Sequence, residues 1–234
     1  MPRDCLSITI MDTLVARLED TLSSDQATRD AAEQYLAHET LPKSRTDDVL
    51  GVQLAQILSE ASLSLYVRQA AAIALKKYVR KRWSIFFDTF TQDMVVNGIV
   101  QTVDATPVEA KEHIRTSLLA CLCDAEPKVR SQASDILSLI SSCDFPDHFP
   151  QLLPTLQAYL HSYAEQDAHA AYKVHGAMKF LLDLVHVELD ENQLLMVAQQ
   201  LVPLLQGIVS SSSDWITPHT RAVSYTHLTL PTKA

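Results

Sequence analysis

Apolar residues in this chain recur at steps of three and four over nine successive stretches, and the stretches come in pairs. That spacing draws one apolar stripe along a helix and does not suit the two-residue alternation of a half-buried strand. Met11, Leu14, Val15, Leu18 and Leu22 define the first stretch, over ~10–22. Ser23-Ser24-Asp25 offers a cap for a second over ~25–40, with Ala27, Ala31, Tyr35 and Leu36 on its apolar side. Leu41-Pro42 ends it, and Thr46-Asp47-Asp48 opens a third over ~47–60. Further helices are expected over ~65–83, ~107–123 with Pro107 in its first turn, ~126–143, ~147–163 with a bend near Pro154, and ~167–188. A ninth starts near Asp190, runs through Leu194, Val197, Leu201 and Leu205, and should kink at Pro203.

The second members of the pairs start near residues 25, 65, 126 and 167. Two of the three intervals approach the ~40–47 residues of a HEAT or armadillo unit. One helix pair cannot bury its own apolar stripes, whereas stacked pairs share a continuous core. The expectation is an all-α fold: an α-solenoid of HEAT-type antiparallel pairs, a right-handed superhelix of about four and a half repeats. A closed bundle is the alternative. The middle interval is too long, and the excess lies at 84–106, with Phe86, Phe87, Phe90 and a candidate short helix over 94–103. A family insertion, a loop helix or linker, and retained intron sequence all remain open for it. The expected organisation is two repeats over 11–83, the insertion or linker, then repeats three, four and the start of five over 107–210.

Composition narrows the class. Hydrophobic residues make up 47% of 234, with only four glycines, so a helical core can be built. Net charge of -9 speaks against general nucleic-acid binding and suits basic partners. Cys5, Cys121, Cys123 and Cys143 lack the spacing of a disulfide or metal framework and read as reduced core thiols. No run approaches the ~20 apolar residues that span a bilayer, so membrane insertion is not expected. Residues 1–10 read as a disordered or non-native extension ahead of Met11. Residues 222–234 lose the helical pattern, and their back-translation resembles a transposase-type sequencing adapter read in frame, so the chain reads as a fragment of a longer protein.

Residues 67–83 form the most informative helix. Val67, Ala70, Ala71, Ala74, Leu75 and Tyr78 make a stripe of mostly small residues that lets a neighbour approach closely. Lys76/Arg80 and Lys77/Lys81 form two basic rows at its C-terminal end, where the helix dipole favours positive charge.

Within this helix Arg68, Gln69, Ala71, Ile73, Leu75, Lys76 and Trp83 resemble the N-terminal motif of the importin-β (karyopherin-β) family. Asp144-Phe145-Pro146-Asp147-His148-Phe149-Pro150-Gln151-Leu152 resembles the aromatic corner of these proteins, with Phe145 and Phe149 in place of Trp. Val174-His175-Gly176-Ala177-Met178-Lys179-Phe180-Leu181 is similar to a helix of importin-9-type karyopherins. The resemblance implies the N-terminal region of a shuttling transport receptor that binds the GTPase Ran in its GTP form and is remodelled by it. It implies passage through the pore by way of nucleoporins, basic cargo such as histones or ribosomal proteins, and a monomer. It places the second helices of the early repeats on the face that meets Ran.

On that basis Lys76, Lys77, Arg80 and Lys81 are candidate Ran contacts, with Gln34, Tyr35 and His38 on the second helix and Lys179 and Asp183 on the eighth. A solvated basic helix end is the plainer reading of the four cations. Arg68 and Trp83 are expected to secure packing, and Phe145, Pro146, Phe149 and Pro150 to form an interhelix corner. Gly176 costs ~1 kcal/mol relative to Ala inside a helix, so its presence implies a close helix approach. His175 beside it reads as a hydrogen-bonded packing residue. No metal-ligand spacing, phosphate loop or catalytic constellation occurs, so neither a cofactor nor an enzyme is expected. A HEAT or armadillo scaffold without Ran dependence is the competing function.

Overall fold

The computed structural model describes residues 3–39, 49–84, 87, 95–96, 99–100, 106–165, 168–186 and 189–210. Its helices are α1 (Arg3–Asp20), α2 (Gln26–Glu39), α3 (Leu50–Ser59), α4 (Leu65–Arg82), α5 (Val108–Cys121), α6 (Pro127–Asp144), α7 (Leu152–His161), α8 (Ala168–Val185) and α9 (Glu191–Ser210). A 3-10 turn, Ser162–Ala164, follows α7. The second helices of the pairs begin at Gln26, Leu65, Pro127 and Ala168, within about two residues of the starts read from periodicity. Local chemistry explains these starts. Asp25 Oδ2 accepts the Thr28 N–H at 2.9 Å, Ser64 caps α4 by accepting from Val67 N, and Pro127 occupies the first turn of α6. Asp190 and Gln193 cap α9 reciprocally, each side chain accepting the other's backbone N–H at 2.8 Å.

The chain divides into two compact units, Met1–Leu118 and Leu119–Ala234, with the boundary inside α5. In the first unit α3 packs along α4, and α1 packs on α2 and α4. Leu54, Ile57 and Leu58 of α3 and Val67, Ala71, Leu75 and Tyr78 of α4 are buried, as are Leu14 and Leu18 of α1. Gly51 makes this packing possible: a Cβ there would lie 2.8 Å from Tyr78 Cζ and 2.9 Å from Ile114 Cδ1. In the second unit α6 stacks on α8 and α7 stacks on α9, while α7 also pairs with α8. First helices stacking on first and second on second is the arrangement of a solenoid rather than a closed bundle. Val129, Ala133, Ile136, Leu137 and Ile140 of α6 supply its core, on the spacing read from the sequence.

Five expectations are corrected. Residues 3–10, expected as a disordered or non-native extension, are helical and begin α1, which no Pro or Gly interrupts. Ala27 and Ala31 face solvent and Ala32 is the buried alanine of α2, because closely spaced alanines do not by themselves orient a helix. In place of a short helix over 94–103, Val95–Val96 pairs antiparallel with Ile99–Val100. β-branched residues around Asn97-Gly98 favour that hairpin, a signal the helical reading passed over. Helix α7 begins only at Leu152, so Pro154 sits in its first turn, where it needs no bend.

The fifth concerns α9, which is long and apolar enough by length and composition to cross a membrane. Its buried residues Val197, Leu201, Leu205 and Ile208 form a single stripe, and the helix packs on α7. Helix α9 also continues through Pro203. The segments around Leu41-Pro42 and Thr46-Asp47-Asp48, Phe86, Phe90 and the adapter-like tail at 222–234 lie outside the described residues.

Candidate protein-binding surface

Helix α4 buries an arc wider than one stripe. Val67, Arg68, Ala71, Ala72, Ala74, Leu75, Tyr78, Val79 and Arg82 are all buried, and Ala70 is half-buried. What remains outside is one narrow strip. Tyr66 is 67% exposed and Ile73 55%, and Lys77 and Arg80 lie on the same face at helical spacing, both exposed. Lys76 and Lys81 flank the strip half-buried. The two basic rows of the sequence thus become one line, with an aromatic and an aliphatic residue leading into two cations. Tyr66 had no place in the sequence reading of this surface, since nothing in its local pattern separates an outward tyrosine from a core one.

The motif residues of α4 hold that strip in place. Arg68 is 3% exposed and its Nε donates to the Leu58 carbonyl at 2.8 Å, closing the turn between α3 and α4. Gln69 is half-buried and Leu75 fully buried. Trp83 is also fully buried, under Lys111 Nζ at 5.1 Å and the Arg115 guanidinium at 5.6 Å.

On α2, Gln34 and His38 are exposed one turn apart. Tyr35 is half-buried beneath the Arg17 guanidinium of α1, 5.4 Å from the ring centre, so it stands apart from that pair. In the second unit Lys179 Nζ lies 2.5 Å from Asp183 Oδ1 and 3.8 Å from Asp135 Oδ1 of α6. Asp183 also accepts a hydrogen bond from the buried Ser134 hydroxyl of α6. These two candidates therefore meet each other and tie α8 to α6.

The aromatic corner forms between α6 and α7. Phe145 and Phe149 are buried, Pro146 is half-buried and Pro150 exposed, with a cis peptide between Phe145 and Pro146. Gln193 of α9 donates to the Phe145 carbonyl at 2.6 Å, a link that local sequence does not reveal. Gly176 is buried, and a Cβ on it would lie 2.7 Å from the Leu122 carbonyl carbon and nearer still to its oxygen. Helix α8 thus crosses the end of α5 backbone to backbone, while His175 beside it is half-buried. Burial pushes the Cys123 thiol up, against opposing effects of Tyr159, Lys173 and Arg130, which keeps it protonated as a core thiol would be.

The stacked helix pairs define a HEAT-type helical solenoid, and the outward strip on a second helix is its candidate binding surface. A profile of the importin-beta N-terminal domain matches residues 32–124, the stretch that holds the first of the three sequence blocks. Importin subunit beta-5 of Schizosaccharomyces pombe is 28% identical over 200 residues, covering 85% of this chain and 18% of the relative. Importin-9 of Drosophila melanogaster is 23% identical over 206 residues, covering 88% of this chain and again 18% of the relative.

Among solved structures, yeast importin-beta (Kap95p) superposes with a TM-score of 0.71 at 20% identity, over 93% of this chain and 24% of that one. The exportin Cse1 in its cargo-free, cytoplasmic state gives 0.64 at 15% identity, over 92% and 22%. Kap95p has also been solved bound to RanGDP, whose switch loops then adopt the GTP-bound conformation (TM-score 0.64), and with Nup1 (0.62). The chain thus spans between about a fifth and a quarter of the length of these relatives.

Proposed function

We propose that this chain is the N-terminal part of a nuclear transport receptor that meets Ran in its GTP form through the outward faces of α2 and α4. The observation that carries the reading is the exposed line of Tyr66, Ile73, Lys77 and Arg80 on a second helix inside the stretch that matches the importin-beta N-terminal domain. Two cations in line with an exposed aromatic about three turns away suit a partner with an acidic patch and a separate apolar one, since charge steers association and aromatic area anchors it. Lys76, Lys81, Gln34, Tyr35 and His38 border or extend this surface, and Lys179 and Asp183 are its more distant members. The reading extends to nucleoporins and basic protein cargo as partners, to a monomer, and to shuttling between cytoplasm and nucleus.

Immobilised Ran loaded with GTP should retain the full chain, and Ran loaded with GDP should not. Changing Lys77, Arg80 and Lys81 to Glu should weaken that retention at least tenfold at low salt. Retention of neither Ran form would favour a HEAT scaffold without Ran dependence. Importins and exportins both stand among the relatives, so direction has its own readout: Ran-GTP releases cargo from an importer and recruits it to an exporter.

A further inference from the structure

Helix α4 ends without the glycine that closes many helices: its C-cap is Trp83, still in helical conformation, and Ser84 follows. The Trp83 N–H reaches back to the Val79 carbonyl at 3.0 Å, but the carbonyls of the last turn have no further helical N–H to accept from. The one on Arg82 finds its donors 24 positions along the chain. Thr106 donates its N–H to it at 2.7 Å and its hydroxyl at 2.8 Å. Thr106 is 4% exposed, so both bonds are made away from water, where they are stronger. Its hydroxyl also lies 3.1 Å from that of Tyr78, which is fully buried one turn back on α4. A hydroxyl has one proton, and the Thr106 proton goes to the Arg82 carbonyl, so Tyr78 is the donor to Thr106. Two successive bonds, Tyr78 to Thr106 and Thr106 to Arg82, thus clasp the end of α4.

This clasp closes on the turn that carries the cationic end of the exposed line. Arg80, exposed, stands two residues before Arg82, with half-buried Lys81 between them. We propose, resting on the reading of this surface given above, that Thr106 is the positioning residue of that line. By fixing the last turn of α4 it holds the backbone of Arg80 and Lys81 in the place where an acidic patch on the partner meets their side chains. A cation on a fixed turn has less freedom left to lose on binding than one on a fraying helix end. Thr106 is buried, so it acts through α4 and not by touching the partner.

Two variants of the full chain test it. Thr106→Val keeps the size of the side chain and the N–H bond but removes the hydroxyl, whereas Thr106→Ser keeps the hydroxyl and gives up a methyl. Amide exchange over residues 80–83 should quicken about tenfold in Thr106→Val, while α3 stays within a factor of about three of the parent. Retention on immobilised Ran loaded with GTP should fall about threefold or more in Thr106→Val and return close to the parent's in Thr106→Ser. Equal retention by the parent and Thr106→Val, or a loss that Thr106→Ser shares, would overturn the proposal and leave Ran binding standing. Exchange that quickens evenly over the first unit would overturn it as well, because the hydroxyl would then serve general stability and not the end of α4. If the parent itself is not retained, the reading of the surface falls and this inference falls with it.

Discussion

Gly176 and Gly207 show how one residue type answers to different surroundings. A Cβ at Gly176 meets the Leu122 backbone, which cannot yield without moving the end of α5. At Gly207 the nearest atom is the Tyr163 hydroxyl, 3.1 Å away at the end of a side chain. Gly176→Ala should therefore cost about 1–3 kcal/mol in urea denaturation, as overpacking does. Gly207→Ala should be neutral or gain up to about 1 kcal/mol, as Ala replaces Gly within a helix. Arg68 belongs at this scale too. Arg68→Met keeps the buried stem but strands the Leu58 carbonyl, which should cost about 1–3 kcal/mol in the same assay. The close approach at Gly176 was legible in the sequence because a helix tolerates glycine there for a reason. The partner of Gly51, a tyrosine 27 positions on, was not.

Elements were legible where periodicity was long and caps were explicit. Asp25 illustrates the cap chemistry: hydrogen bonds from the Thr28 hydroxyl and then the Thr28 N–H hold its carboxyl below the usual 3.8. A depressed pKa in the fold means this stabilisation is complete above the unfolded value and fades as pH falls through the folded one. Parent and Asp25→Ala should differ in α2 helicity at pH 7, and the difference should shrink as pH falls below about 3.8, followed by circular dichroism. Equal helicity at neutral pH would remove the cap from the account. The misreadings have local causes as well. Alanine gave α2 no strong sense of direction, and the valines around Asn97-Gly98 were read at the helical period although their turn dipeptide favours a hairpin.

Over the whole molecule, stability should be regional, because stacked helix pairs depend on nearest neighbours. Leu137 is fully buried in α6, in the second unit, and Leu137→Ala should cost about 2–5 kcal/mol there. Amide exchange should rise across α6, α7 and α8, while the protection of α3 and α4 stays within a factor of about three of the parent. A uniform rise over both units would instead mean one cooperative fold. Among the described residues of the second unit, Leu194, Leu195 and Met196 place exposed apolar surface on α9.

The amino-acid sequence alone determined the helices, their pairing, the 40-residue beat of their second members and the family motif, because helical period, caps and breakers act within a few residues of themselves. It also marked the corner at Phe145–Phe149 and the charge on α4. Only the tertiary structure decided which parts of those helices face outward. The strip of Tyr66, Ile73, Lys77 and Arg80, the Lys179–Asp183 pair turned toward α6, and the grip of Gln193 on the corner all depend on which neighbour covers which face. A helix carries its own stripe, but the width of the arc it buries is set by the helices packed around it, and those arrive from distant positions in the chain.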